Sequence, residues 1–234
     1  MQVSTITLEG EEFPIAIKRH ATAKRYTLRY DGEQELIKLT IPKRASIKGG
    51  LEFTASRANW LFGQMHKVAD RTELAPGAEF PLLGLNTLLA HEAGRGMAEL
   101  DESEQPQTLT IRGGADFFNS RLKRYLSRYL KEFITPIANE YAGTLGVKFK
   151  KVSIRDTKTH WGSCTPDGNL SFAFRLVFAE PEIVDYIVAH EVAHLRELNH
   201  SKDFWQLTEQ LCPDYKTHRK WLKEHGSELE RFVV

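Results

Sequence analysis

Apolar and polar residues alternate along the first part of the chain and change period near residue 115. Val3 to Leu8, Phe13 to Lys18, Arg25 to Tyr30 and Leu36 to Ile41 combine alternation with β-branched content, which predicts four strands. Asp31-Gly32 suits a turn between the third and fourth. Ser46 should cap a helix reaching about Val68, with Leu51, Phe53, Ala58, Leu61, Phe62 and Met65 on its apolar side. Ala75-Pro76-Gly77 breaks the chain, and further strands are expected around Glu79 to Ala90 and Thr108 to Ile111. The polar segment Asp101 to Gln107 reads as an exposed loop near the boundary between two lobes. From about Ala115 to Leu145 the period becomes helical: Phe118, Leu122, Tyr125, Leu126, Tyr129, Leu130, Phe133, Ile137 and Tyr141 recur at three and four. Pro136 should kink or break this helix. Strands are expected at Val147 to Ile154 and Leu170 to Phe174, with Asp167-Gly168-Asn169 as the turn before the second. Helices should then open at Pro181 and Ser201, and a last one should run from about Tyr215 to His225. This is an α+β chain. Residues 1–113 form a strand-rich N-terminal lobe with one helix, and residues 114–234 a mostly helical lobe with a small sheet. No internal repeat is legible.

Composition narrows the class. At 234 residues and 41% hydrophobic content, the chain can bury a substantial core, which excludes global disorder. A net charge of +1 gives no global pull toward nucleic acid or anionic membrane. The basic residues of the long helix, Arg121, Lys123, Arg124, Arg128 and Lys131, read as a solvated face, so nucleic acid is not an expected partner. Cys164 and Cys212 are too few for a disulfide scaffold and suit a reducing compartment. The N-terminal residues lack the basic start and apolar run of a signal peptide, and no stretch is long enough to span a bilayer. A cytoplasmic protein without a membrane partner is the expectation.

The chemistry concentrates in His190-Glu191-Val192-Ala193-His194, followed by His200. Residues four apart on a helix share a face, so His190 and His194 can offer two imidazoles to one metal ion. His200 could supply a third once the chain turns out of the helix. Three protein ligands plus a water is the pattern of a catalytic zinc site, with Glu191 next to the open position. A chance His-Glu-x-x-His in a chain of this composition is an event of about a few per cent or less. Val184, Ile187, Val188, Leu195 and Leu198 place this segment on an amphipathic helix, where polar groups facing the core need partners. His91-Glu92-Ala93-Gly94-Arg95 starts the same way, but Arg95 replaces the second histidine and the glycines favour a loop.

The second half also carries an ordered series of motifs. His160-Trp161-Gly162-Ser163-Cys164, Asn169-Leu170-Ser171-Phe172, Arg175-Leu176, the His190–His194 segment, Asn199-His200-Ser201, Phe204-Trp205, Pro213-Asp214-Tyr215 and Trp221-Leu222 stand in sequence. Over residues 115–225 this resembles the YgjP-like metallopeptidase family, related to the SprT-like zinc metalloproteases. The resemblance implies a zincin-like catalytic lobe with one Zn2+ per chain on His190, His194 and His200, and Glu191 as general base to a metal-bound water. It implies a metallopeptidase acting on a peptide or protein. Some relatives carry a UTP pyrophosphatase label, so a nucleoside triphosphate pyrophosphohydrolase is the alternative enzyme. A non-catalytic zinc-binding interaction protein is the alternative of another class. Metzincins share the His194-to-His200 spacing but place a glycine where this chain has Glu197. The helix is therefore expected to continue another turn, with Asn199 ending it.

Further residues are candidates for holding substrate. Trp161 and Ser163 belong either to a plain hairpin or to a substrate site. By analogy with zinc peptidases, the strand beginning at Asn169 is the candidate edge for main-chain pairing with a peptide. Arg175 could meet a substrate carboxylate or phosphate, or form a structural ion pair. Tyr215 and His218 could donate to a developing oxyanion. Trp205 and Trp221 are expected in the core.

Overall fold

The computed structural model describes residues 2–32, 34–69, 71–103, 105–157 and 160–234, and only the backbone of residues 2 and 66–69. Residue 104 of the expected polar loop lies outside the described residues. The chain divides into two compact units, residues 1–71 and 72–234.

In the first unit, β1 (Gln2–Leu8), β2 (Glu11–His20), β3 (Thr27–Asp31) and β4 (Leu36–Pro42) form one sheet in the order β1-β2-β4-β3. The central pair β2 and β4 is parallel. Alternation puts Ile15 and Ile17 of β2 and Ile37, Leu39 and Ile41 of β4 into one buried cluster with Leu61. The single helix expected from Ser46 to Val68 is two, α1 (Ile47–Ala55) and α2 (Ala58–Ala69). Ser46 caps the first, accepting from the Gly49 amide at 2.9 Å. It stops because the Ser56 hydroxyl donates to the Phe53 carbonyl at 2.7 Å and the Arg57 amide donates to Thr54 at 3.0 Å, a tighter turn than an α-helix makes.

The second unit opens with β5 (Thr72–Glu73), then β6 (Glu79–Leu82), β7 (Leu85–Glu92), β8 (Glu99–Asp101) and β9 (Gln107–Arg112). The last four form a sheet in the order β6-β7-β9-β8, with β7 and β9 parallel. This is the topology of the first unit again: a hairpin, a parallel central pair and a short antiparallel edge. The repeat is one of topology, which periodicity does not reveal. Leu83 and Gly84, with φ of 45° and 80°, make the tight β6–β7 turn.

Next comes α3 (Phe118–Leu145), burying Phe118, Leu122, Leu126, Leu130, Ile134, Ala138 and Ala142 at every fourth position. It runs through Pro136 as one helix instead of breaking there, with the Thr135 hydroxyl donating to the Lys131 carbonyl at 2.6 Å. Gly146, at φ 66°, ends it, and the Val147 amide returns to the Ala142 carbonyl at 2.9 Å. Leu82, Leu89, Leu109 and Ile111 of the preceding sheet share one core with this helix. That is why the compact units divide at 71/72 and not at the expected 113/114: the sheet of residues 79–112 buries its apolar face only against the helices that follow it.

A small sheet follows, of β10 (Lys151–Arg155), β11 (Gly162–Cys164) and β12 (Asn169–Ala173), in the order β10-β12-β11. A 3-10 turn over Phe174–Phe178 leads to α4 (Pro181–Ala193), α5 (Lys202–Leu211) and α6 (Tyr215–His225), and β13 (Phe232–Val233) returns to pair with β5. The order of elements is that of an α+β fold, strand-rich first and helical later. No described helix is long and apolar enough to cross a membrane.

Candidate metal centre

Helix α4 starts at Pro181, whose missing donor falls where no helical partner exists. From Ile183 to Ala193 it is buried almost all round, including Val184, Ile187, Val188, Val192 and Glu191. A helix enclosed in this way is a rigid mount for the polar groups near its end. The expected extra turn does not form. The α-helix stops at Ala193 with His194 as its C-cap, and the Arg196 and Glu197 amides both bond back to the Ala193 carbonyl, at 3.1 and 3.0 Å. Asn199 is not in the left-handed region that would have terminated a longer helix. The chain then turns to Ser201, which caps α5 by accepting from the Phe204 amide at 3.2 Å. These turns bring His200 back over the helix end.

His190, His194 and His200 converge so that one ring nitrogen of each lies within 4.8 Å of the others. Their ring centroids form a nearly equilateral triangle, with sides of 4.9, 5.0 and 4.8 Å. Phe204 packs against all three rings at 4.9, 4.4 and 4.8 Å. Trp205 stacks on His200, with centroids 5.6 Å apart and planes 21° apart, and the Arg219 guanidinium lies 4.5 Å from the Trp205 ring centre. The His190 and His200 Nε2 atoms face each other at 3.1 Å. Tetrahedral ligands at a zinc–nitrogen distance of about 2.0–2.1 Å lie about 3.3 Å apart, so this separation suits two nitrogens sharing one ion. His194 Nδ1 is 2.9 Å from the Glu197 carbonyl. A carbonyl only accepts, so Nδ1 carries the hydrogen and Nε2 keeps its lone pair, which is how ligating histidines are commonly oriented. His190 Nδ1 is buried without a partner among the described residues.

Burial favours the neutral form of His190 and His194. Burial, followed by the neighbouring His194 and His200, pushes the His190 pKa down to about 3. Burial also lowers that of His194. Neutral imidazole is the ligating form. Glu191 is buried, and burial alone raises its pKa to about 8. Its carboxyl lies over Gly162 on β11. A methyl group at position 162 would sit 2.5 Å from Glu191 Oε1, so only glycine leaves it room.

A cavity of about 490 Å³ opens over this cluster, lined by the three histidines and Glu191 together with Trp161, Ser163, Tyr186 and Leu198, among others. The structure therefore brings Trp161 and Ser163 to the histidines, on a β11–β12 hairpin. Asn169 and Arg175 are not among the lining residues. Asn169 Nδ2 bonds to Thr165 Oγ1 at 3.1 Å within the hairpin turn. Arg175 forms an ion pair with Asp156, which also accepts from Lys123 at 2.7 Å. Tyr215 stacks on Trp205 at 5.4 Å, and His218 lines a separate cleft with Tyr141, Asp185 and Cys212. The strand beginning at Asn169 is not an edge. It is the central strand of its sheet, and β11, which lines the cavity, is one of the two edges. Among the lining and supporting residues that had no predicted place at the site are Tyr186, Leu198 and Phe204. Tyr186 precedes His190 by four positions, a spacing that could have revealed it. Phe204, which the sequence offers as half of the Phe204-Trp205 motif and as an apolar position of α5, packs against all three imidazoles.

The donor set fits a divalent transition metal: three neutral nitrogens around one point, with no carboxylate oxygen among them. Imidazoles of this kind beside a buried carboxylate in an open cavity are the parts of a metal-dependent hydrolase. The chain belongs to the YgjP-like family, whose metallopeptidase domain matches residues 24–225. No curated protein matches it. Among solved structures it is similar to the metallopeptidase zymogen abylysin of Pyrococcus abyssi, at 24% identity and a TM-score of 0.37, covering 43% of this chain and 99% of that one. It is also similar to the zymogen jannalysin of Methanocaldococcus jannaschii, at 22% identity and a TM-score of 0.31, covering 37% and 93%.

Proposed function

We propose that this chain is a zinc metallopeptidase that holds one zinc ion on His190, His194 and His200 and uses Glu191 as its general base. The observation that carries this reading is the convergence of three imidazole nitrogens beside one buried carboxylate, inside a cavity edged by a free strand. Zinc bound there would supply a Lewis acid that lowers the pKa of water toward neutrality and polarises a carbonyl. Beside a divalent cation on the three imidazoles, the raised Glu191 pKa is drawn back down and the carboxylate stays ionised, so that it takes the proton from the attacking water and passes it to the leaving amine nitrogen. Gly162 lets that carboxylate sit against β11, and burial keeps it from wandering. An extended peptide pairs its main chain with the open edge of β11, since β12 already occupies the other side. Trp161, Tyr186 and Leu198 offer apolar surface to its side chains. A magnesium-dependent nucleotide hydrolase would present oxygen ligands, and this cluster presents nitrogens.

The test uses the purified full chain, a mixed peptide library read by mass spectrometry, and UTP in parallel. Cleavage of peptides that a chelator stops and zinc restores is the expected result. Zinc-dependent hydrolysis of UTP with no peptide cleaved would overturn the peptidase reading and keep the metal centre. Full activity without metal would overturn both.

A further inference from the structure

A second cavity of about 220 Å³ lies in the same unit, at the end of β9 and along the first turns of α3, and shares no lining residue with the histidine cavity. Arg112, Arg121, Arg124 and Arg128 line it, and no carboxylate does. The helix positions follow from spacing: 121, 124 and 128 are three and four apart and share one face.

The Arg121 guanidinium is seated against Gly113 and the Arg112 methylene stem against Gly96. A methyl group on Gly113, which has φ of 139°, would lie 2.8 Å from Arg121 Cζ, and one on Gly96 would lie 2.6 Å from Arg112 Cδ. Arg121 donates to the Arg112 carbonyl at 2.8 Å and to the Gly96 carbonyl at 3.4 Å, so its partners are neutral. Arg112 meets Glu92 through Nε at 2.8 Å and Glu99 through Nη1 at 2.7 Å, and its Nη2 takes part in neither pair. Arg124 is exposed and has no carboxylate or hydrogen-bond partner among the described residues. Arg128 lies 5.5 Å from the Tyr125 ring centre, with Glu132 at 3.8 Å from its Nε. Glu92, Glu99 and Glu132 answer Arg112 and Arg128, so the charge left without a carboxylate among the described residues is that of Arg121 and Arg124, and an anion held between them would offset it. The rest of the wall is apolar, including the Tyr125 ring and Met97, which is 71% exposed.

We propose that this cavity binds a phosphate monoester whose organic group is aromatic or apolar. Guanidinium forks match phosphate oxygens in pairs, and a monoester's three free oxygens can engage more of the four arginines than a carboxylate's two. The Tyr125 face and Met97 receive the organic group. The small volume suits one phosphate and not a polymer backbone.

Calorimetric titration of the full chain with phenyl phosphate, inorganic phosphate and phenol in low-salt buffer tests this. Phenyl phosphate should bind saturably and more tightly than inorganic phosphate, and phenol should not bind. Arg124→Gln combined with Arg128→Gln should weaken phenyl phosphate at least about tenfold, since each hydrogen bond to a charged group contributes strongly. Both residues are exposed, so the unfolding midpoint should stay where it is. Tyr125→Leu should bring phenyl phosphate down to the affinity of inorganic phosphate. Equal affinity in wild type and the double variant, or no saturable binding of either phosphate, overturns the proposal. So does a single-stranded oligonucleotide that binds in an arginine-dependent way while phenyl phosphate does not.

Discussion

Two histidine–glutamate pairs in this chain meet different fates. At the end of β7, His91 and Glu92 follow each other on an extended backbone, which sends neighbouring side chains to opposite faces. His91 Nε2 lies 2.8 Å from the Gly113 carbonyl, and its ring meets Phe118 edge-on at 5.5 Å. Glu92 accepts from Arg112. Both side chains find partners within the protein, and Gly94 turns the chain away with φ of 115° before Arg95. On α4, the period of the helix returns His194 to the face of His190, and the turns after it return His200. There His190 Nδ1 has no partner among the described residues and its Nε2 faces another imidazole nitrogen. The dipeptide alone carries no function. The element beneath it decides whether the groups converge on a shared point or are satisfied separately.

Breaking the α4 arrangement should have the largest effects. His194→Ala should lose the zinc that wild type retains through gel filtration, measured by elemental analysis. Unchanged content would mean that the three histidines do not form the site. His200→Ala in the same assay tests whether the third ligand comes from the turn before α5.

Gly162→Ala tests the seat of Glu191 without touching a ligand. The added methyl would lie 2.5 to 2.7 Å from the carboxyl end of Glu191, so the carboxyl would have to leave this seat and shift toward the cavity. Peptide hydrolysis should fall by about tenfold or more with zinc content unchanged, because misplacing a reacting group by about 1 Å can cost up to a hundredfold. Full activity would show that Glu191 needs no such seat.

A smaller effect is expected at Asp156, whose carboxylate joins Lys123 of α3 to Arg175. Hydrogen bonds from Lys123 first and Arg175 next hold its pKa down at about 2. A pKa depressed on folding adds stability above the ordinary carboxylate range, and that stability is lost as pH falls from about 4 to about 2. The group is 39% exposed, so screening leaves a contribution of about 1 kcal/mol. Asp156→Asn should lower unfolding free energy by that amount in urea titrations at neutral pH, and the gap should narrow across the acid window. A gap that stays constant with pH would remove the ion-pair explanation. The smallest effect belongs to the other histidine–glutamate pair. His91→Ala and Glu92→Gln should each leave zinc content and hydrolysis at wild-type levels, and a loss in either would erase the distinction between the two pairs.

Much of this was legible in the sequence. The period of the apolar residues gave the strands of the first sheet, the span of α3 and the start of α4 at Pro181, because burial on one face imposes that period. The helical spacing of His190 and His194 and the reach of His200 likewise follow from local geometry. What escaped depends on pairing at a distance. Nothing local says that β12 lies between β10 and β11, so the wrong strand was expected at the edge. Nothing local says that residues 79–112 share a core with α3, so the unit boundary was expected too late. The same holds for Phe204 beneath the imidazoles, for Gly162 beneath Glu191, and for Arg175 turned toward Asp156 and away from the cavity. Each is settled by a partner far away in the chain.

The central claim is that Glu191 acts on substrate beside a zinc ion that it does not ligate. Glu191→Gln tests it most directly, with zinc content and peptide turnover measured on the same preparation. The amide keeps the shape of the side chain and cannot accept a proton at neutral pH. General-base assistance is typically worth about two to four orders of magnitude. Zinc should remain at the wild-type level while turnover drops at least about a hundredfold. Wild-type turnover with zinc in place would contradict the account, because the base would then lie elsewhere.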